Sequence, residues 1–408
     1  MGVISKLFCP KCTYESPSKT VFQCLDCQSI LEVSVEIDHL RRFNLEAMRR
    51  SRDHTIWRWF DFFPLESRAS IVSLGEGGTP LIHSKRLGEH LGISRLCLKN
   101  DTVLPTGSLK DRSNSVGISR AKELGFTTAT VMSTGNAAAS VAAYSAAAGL
   151  KSVVMVPLGT APSKIIQARA YGETVVVIDG DFDYEVAKLY KSAVREFGWY
   201  DCLSSNPYRD EGKKSYAYEM IDQIDGEIPD WIIHPTAGGT GLYAMWKGFK
   251  EFLSLGWIDR LPRLVAAQSE SAAPIVAAFE QGLKDVQAVV SRETVAESIQ
   301  VGNPVSFGWR ALKALRESQG TAVGLSDEAI LEAQFLTGSL AGVFAEPAAA
   351  TSVAAAKKLV DTGIIGHDHL VVCNLTGHGL KQPDAVRISQ EQLRPIPPTL
   401  DALRERLR

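Results

Sequence analysis

Short, fully apolar runs recur along most of this chain, and helical periodicity follows each within a few residues. "TATVMS" (Thr128–Ser133) leads into the small-residue stretch "NAAASVAAYSAAAG", and "SVVMVP" (Ser152–Pro157) into "SKIIQARAYG". "TVVVID" (Thr174–Asp179), "WIIHP" (Trp231–Pro235), "LVAAQ" (Leu264–Gln268) and "LVVCNLT" (Leu370–Thr376) complete the series. A strand that is apolar on both sides has no solvent face. Such runs alternating with helices therefore predict an α/β fold with parallel-rich sheets covered by helices. At 408 residues the chain exceeds one small core and predicts two domains or a large α/β unit with an appendage.

Before the alternating region, the aromatic segment "TIWRWFDFF" lies in an arm that reads as packed on a neighbouring domain or subunit. Burial with a solvated edge explains its Arg–Trp interleaving better than nucleic-acid contact. The tail "LRPIPPTLDALRERLR" is a proline break followed by a short amphipathic helix, a packing or oligomer element, and a homo-dimer is expected. A net charge of -2 argues against a nucleic-acid partner. No apolar run is long enough to span a membrane. The start "MGVISKLFCPKC" has no secretory apolar core, and Lys6 stands where a myristoylation pattern needs Ser or Thr. A cytoplasmic address is the expectation.

The seven cysteines divide into two groups. Cys97, Cys202 and Cys373 are isolated in apolar contexts and read as buried thiols. Cys9, Cys12, Cys24 and Cys27 form "CPKC" and "CLDC", two knuckles at ribbon spacing. Such a pair can set four thiolates tetrahedrally around Zn²⁺, which fits a reducing compartment better than a redox couple does.

In open α/β sheets ligands bind beyond the carboxyl ends of strands, so the residues after each run matter most. "STGN" (Ser133–Asn136) offers backbone N–H groups at a helix start, which suits a carboxylate, although an ordinary N-cap explains it equally when taken alone. "PTAGGTGL" (Pro235–Leu242) can form a phosphate nest, although a generic glycine turn explains it equally when taken alone. It matches neither a Walker loop nor the spaced dinucleotide fingerprint. In "NLTGHGLK" (Asn374–Lys381), Thr376 offers a hydroxyl at a strand end, and His378 between two glycines reads as a structural hydrogen-bonder. "LPTGSLKDRS" (Leu104–Ser113) sets Lys110 among small residues where a helix begins. A lysine, a phosphate nest, a carboxylate loop and a strand-end hydroxyl together match the needs of pyridoxal phosphate. A neutral hydroxyl at the pyridine nitrogen favours elimination at Cβ and Cγ over transamination.

From about Ser73 to Pro383 the chain resembles the threonine synthases, in the tryptophan-synthase-β-like, fold type II group of pyridoxal-phosphate enzymes. The resemblance rests on "SLGEGGTPL", "PTGSLKDR", "STGNAAAS", "NPYRDEGKKS", "HPTAGGTGL", "GNPVSFGW", "FAEPAAATSVAA" and "LTGHGLKQPD", in that order. It implies a zinc ribbon over 1–36 and an arm over 37–72. A large cofactor domain would comprise 73–96 and 201–383, a small domain 97–200, and a tail 384–408. It also implies that Lys110 holds the cofactor covalently and that Asn136 bonds its O3′. Gly238, Gly239, Thr240 and Gly241 would cradle its phosphate, and Thr376 would face its pyridine nitrogen. Ser133, Thr134 and Ala137 would take the substrate carboxylate, and Ser108, Asn206, Arg209 and Lys214 a substrate phosphate.

The implied reaction turns O-phospho-L-homoserine and water into L-threonine and phosphate. Lys110 would act as the proton shuttle, its pKa lowered from about 10.4 by cationic or desolvated surroundings. Leu104, Leu109 and Ser113 replace the Asn, Phe and Gly usual in the family. A β-replacement synthase or dehydratase acting on O-phosphoserine or a related amino acid, as in cysteate synthase, therefore stays open. So does a non-catalytic, cofactor-binding regulatory or interaction protein built on the ribbon, against which Lys110 and Asn136 both speak.

Overall fold

The computed structural model describes residues 6–160, 162–180, 185–386 and 394–407, without the side chains of 162 and 163. Three sheets organise them. At the N-terminus, β1 (Lys6–Phe8), β2 (Glu15–Ser16) and β3 (Glu32–Ser34) pair antiparallel in the order β2-β1-β3. Next come β4 (Leu81–His83) and β5 (Arg95–Asn100), then β6 (Thr128–Met132), β7 (Lys151–Pro157), β8 (Thr174–Ile178) and β9 (Tyr200–Asp201). The last four are β10 (Trp231–Pro235), β11 (Arg263–Ser269), β12 (Thr321–Leu325) and β13 (Leu370–Leu375).

The larger sheet has the order β12-β11-β10-β13-β5-β4, parallel except where β4 runs antiparallel to β5. The smaller sheet, β8-β7-β6-β9, is parallel throughout. All six apolar runs read from the sequence become strands, each within one residue at either end. β4, β5, β9 and β12 were not read. β12, "TAVGL", has Ala and Gly in place of a dense β-branched run, and β9 is two residues long. Because β5 pairs with β13 as far as Asn100, residues 97–100 belong to the larger sheet, and the division expected at 97 falls later.

The arm is part of the larger core. Trp57, Trp59, Phe60, Phe62 and Phe63 are buried there, with Trp59 and Phe62 packed on Tyr218 at ring distances of 5.3 and 5.1 Å. Arg58 lies over the Trp59 ring at 4.9 Å and Arg68 over the Phe60 ring at 4.4 Å, and Arg58 also pairs with Asp222 at 2.5 Å. The tail helix Leu400–Arg406 forms as expected, with Leu400, Leu403 and Leu407 exposed. Among the described residues no helix is long and apolar enough to cross a membrane.

The helix Lys110–Glu123 joins the two units, since Leu109 and Val116 lie in the larger core while Ile118 and Ala121 lie in the smaller. Arg112, in its first turn, is wholly buried. Its guanidinium grips Asp101 at the end of β5 through two bonds of 2.8 Å and Glu219 through bonds of 2.6 and 2.9 Å. Lys99 completes the node by pairing with Glu219 at 2.7 Å. Arg112→Met leaves both carboxylates short of their main partner in a dry interior, so we expect a loss of about 3–5 kcal/mol in urea unfolding. A loss below about 1 kcal/mol would remove this node from the account.

Candidate active site

The helices Lys110–Glu123, Asn136–Ala148 and Thr240–Ser254 all begin at one cleft, which their first residues line. Ser108, Gly238, Gly239, Gly241, Lys213, Ser298, Glu346 and Thr376 line it as well. This convergence follows from the parallel sheets, whose carboxyl ends hand the chain to helix N-termini there. Gly239 caps the helix Thr240–Ser254 with φ of 91°, a left-handed conformation that favours glycine. Asp111 shapes the lysine loop by accepting bonds from Thr106 N at 2.7 Å, Thr106 Oγ1 at 2.6 Å and Ser140 Oγ at 2.7 Å. Burial raises the Asp111 carboxyl to about 6 despite those bonds.

The Lys110 amine has no hydrogen-bond partner among the described residues. Burial lowers it to about 7, helped by Lys213 and Arg209 and opposed by Glu346. Lys213 Nζ donates to Thr240 Oγ1 at 2.9 Å and to Asp210 Oδ1 at 3.0 Å. Arg310 in turn donates to Asp210 Oδ2 at 3.0 Å, so a buried chain of charges supports Lys213 beside the glycine loop. Arg209 Nε donates to Asn114 Oδ1 at 2.9 Å, one turn into the lysine helix.

On the opposite wall, Asn136 Nδ2 donates to both oxygens of Glu346 at 3.1 Å, and Ser298 Oγ also reaches Glu346 at 3.1 Å. Burial raises the Glu346 pKa. Ser133 Oγ accepts from Gly135 N at 3.3 Å in the loop that opens the Asn136–Ala148 helix, close to Thr134 and Ala137. Ser108 Oγ is buried without a partner, and Thr376 follows β13 directly. His378 behaves as a structural hydrogen-bonder: its Nδ1 accepts from Leu380 N at 3.0 Å. His234 lies beneath the loop. Burial and the cations Lys110 and Lys213 lower it to about 3, so it is a neutral imidazole.

Two expected phosphate ligands are otherwise engaged. Lys214 is wholly buried and bonds Phe62 O at 3.0 Å, Glu251 at 2.7 Å and Glu211 at 2.7 Å. Asn206 caps the helix Pro207–Lys213, accepting from Tyr208 N at 3.0 Å while its Nδ2 donates to Asp201 O at 2.8 Å. The cleft lysine is Lys213, which the sequence reading passed over, as it did Glu346. Helix phase carried the signal for Lys213, because Arg209 and Lys213 are four residues apart and share one face, whereas Lys214 turns away.

The four ribbon thiols converge, their sulfurs all within 4.8 Å of one another. Cys9 and Cys27 stand 3.4 Å apart, and Cys12 and Cys24 3.5 Å. A tetrahedral Zn²⁺ with Zn–S of about 2.3 Å sets sulfurs roughly 3.8 Å apart, so the cluster fits that ion. Cys97, Cys202 and Cys373 are buried, as expected.

The cleft also fits pyridoxal phosphate. It joins an unpaired amine that is half-neutral near pH 7, a glycine loop at a helix N-terminus and an unpartnered serine hydroxyl. Residues 72–377 match the family described as "Pyridoxal-phosphate dependent enzyme", and the chain belongs to that family. Threonine synthase from Methanocaldococcus jannaschii is 42% identical over 390 residues, 95% of either chain. Threonine synthase from Methanosarcina acetivorans is 39% identical over 98% of either chain, which puts this chain among the threonine synthase relatives within the family. In fold it matches maize serine racemase with a TM-score of 0.64 at 20% identity, covering 81% of this chain and 92% of that one.

Two outcomes follow from this geometry. Lys213→Met keeps Asp210 paired with Arg310, so it weakens binding of inorganic phosphate to the holoenzyme with little change in unfolding. Lys214→Met takes a buried ammonium from Glu211 and Glu251, leaving them Lys247 and the Tyr218 hydroxyl, and costs about 1–3 kcal/mol in urea unfolding; the reverse pattern would contradict the geometry. For Lys110, pyridoxal phosphate added to cofactor-free protein is captured by the uncharged amine. Because that amine is lowered to about 7, the capture rate followed by visible absorption rises up to that pH and then levels. A rate still climbing at about pH 9 would indicate an ordinary lysine.

Proposed function

We propose that this chain converts O-phospho-L-homoserine and water to L-threonine and phosphate. The observation that carries the reading is a second set of cations, Arg209 and Lys213, beside an amine suited to hold pyridoxal phosphate. The identity of 42% with a threonine synthase over 95% of the chain supports the same reaction. When bound, the cofactor supplies an electron sink for the carbanion formed next to the substrate's amino group.

The chain's own residues do the rest. Lys110 Nζ anchors the cofactor and, once free, removes and returns protons at the substrate's Cα and Cβ; an amine lowered to about 7 can do both at neutral pH. Gly238, Gly239, Thr240 and Gly241 hold the cofactor's phosphate at the head of their helix. Asn136, which donates to Glu346 in this structure, would bond the cofactor's ring oxygen, and Thr376 would serve its ring nitrogen. Ser133, Thr134 and the Ala137 backbone bind the substrate carboxylate. Arg209 and Lys213, with Ser108, hold the substrate phosphate and neutralise its charge as it leaves. Cys9, Cys12, Cys24 and Cys27 hold a structural Zn²⁺, and a metal-bound set of thiolates in place of disulfides suits a reducing cytoplasm.

The test offers phosphohomoserine and phosphoserine side by side to the holoenzyme, following phosphate release and product mass. Threonine and phosphate in equal amounts from phosphohomoserine are expected. Phosphate release from phosphoserine alone would overturn the reading. Elemental analysis should find one zinc per chain, and protein that folds and works equally well without metal would remove the zinc assignment.

A further inference from the structure

Among the ribbon's contacts with the rest of the molecule, which include Lys19 with Glu66 and Glu32 with Tyr243, three lead to the helix that carries Arg209 and Lys213. Phe22, two residues before Cys24, packs edge-on against Tyr208 and Tyr200 with ring centres 6.0 Å away from each. Tyr208 shares one apolar cluster with Leu7, Cys9, Cys24, Leu31 and Val33, and it immediately precedes Arg209. On β3, Val33 O accepts from Lys247 Nζ at 2.5 Å, and the same ammonium bonds Glu211 at 2.5 Å in the middle of the Pro207–Lys213 helix. Lys11, inside the first knuckle, lies over the Trp309 ring at 4.9 Å and pairs with Asp285 at 2.7 Å. Trp309 precedes Arg310, which holds Asp210, which in turn holds Lys213.

The short helix Pro207–Lys213 therefore meets the ribbon directly at Tyr208 and through the Lys247 ammonium at Glu211. Its other side is locked to the lysine helix, where Gly212 lies against the carbonyl of Arg112 so closely that a side chain has no room. The helix that carries Arg209 and Lys213 is thus held between the lysine helix on one side and the ribbon on the other, so its seating beside Lys110 depends on both supports. The ribbon cannot hold its own shape through its strands, which are two or three residues long. The four thiols close the loops that carry Lys11 and Phe22, so their geometry depends on what the thiols bind.

We infer that the metal-clamped ribbon positions Arg209 and Lys213, so that Phe22, Lys247 and the thiol cluster set the affinity for the phosphorylated substrate. This rests on the proposed reading of Arg209 and Lys213 as phosphate-binding cations. The helix, not the cofactor pocket, carries the coupling.

The test uses holoenzyme of known metal content, comparing the parent chain with Phe22→Ala, the milder Phe22→Leu, Lys247→Met and Cys12→Ser. Inorganic phosphate is titrated calorimetrically, and KM and kcat for phosphohomoserine are measured separately. Phe22→Ala and Cys12→Ser should weaken phosphate binding and raise KM by about tenfold or more, with kcat within about twofold and the cofactor's visible absorption retained. Phe22→Leu should fall between, and Lys247→Arg should restore most of what Lys247→Met loses. Unchanged phosphate affinity and KM in folded Phe22→Leu and Lys247→Met would overturn the inference, even if the harsher variants do not fold. Arg209→Met separates phosphate binding from its positioning by the ribbon. If it leaves KM unchanged, the phosphate reading itself fails; if it raises KM while the ribbon variants do not, only the ribbon's positioning role fails.

Discussion

Everything at the cleft hangs on a buried arginine. Arg112 follows Lys110 by two residues, and its fork is satisfied only where Asp101, at the end of a core strand, and Glu219, on a separate helix, come together. An ion network taken out of water tolerates little misplacement, because any lost partner leaves a bare charge in a dry interior. That intolerance fixes the first turn of the lysine helix to the larger sheet. The same helix contributes Ile118 and Ala121 to the smaller core, so the two units meet along the element that presents Lys110.

Against this background the lysines separate by their partners. Lys99, Lys213 and Lys214 are buried and each holds a carboxylate, while Lys110 holds none among the described residues. Burial without compensation lowers an amine, and two cations nearby lower it further. The arrangement leaves Lys110 unpaired while its neighbours are paired: Lys213 bonds Asp210, and Asp210 is held from its other oxygen by Arg310. A nucleophilic amine and an anion-binding ammonium can stand in one cleft because only one of them has a partner.

The sequence made the frame legible where chemistry and pattern agree. Dense runs such as "WIIHP" announce strands, and loops after them announce ligand contacts, so Lys110, Asn136, the 238–241 loop and Thr376 were found together. What escaped depended on phase or on distant partners. Lys213 and Lys214 are adjacent and chemically identical, yet a turn of about 100° sends one to the cleft and the other to Glu251. Glu346 follows no strand that the hydropathy pattern marks, and its partner Asn136 is 210 residues away. The Arg112 node was invisible for the opposite reason, since Arg, Asp and Glu in a sequence read as surface until the fold shows them paired.

Partnering alone singles out Lys110 among several desolvated lysines. Borohydride reduction of the holoenzyme, which freezes the covalent link between cofactor and lysine, followed by peptide mass mapping, tests it most directly. A single pyridoxyl modification, on Lys110, is expected. Modification of Lys99, Lys213 or Lys381 in its place would contradict it.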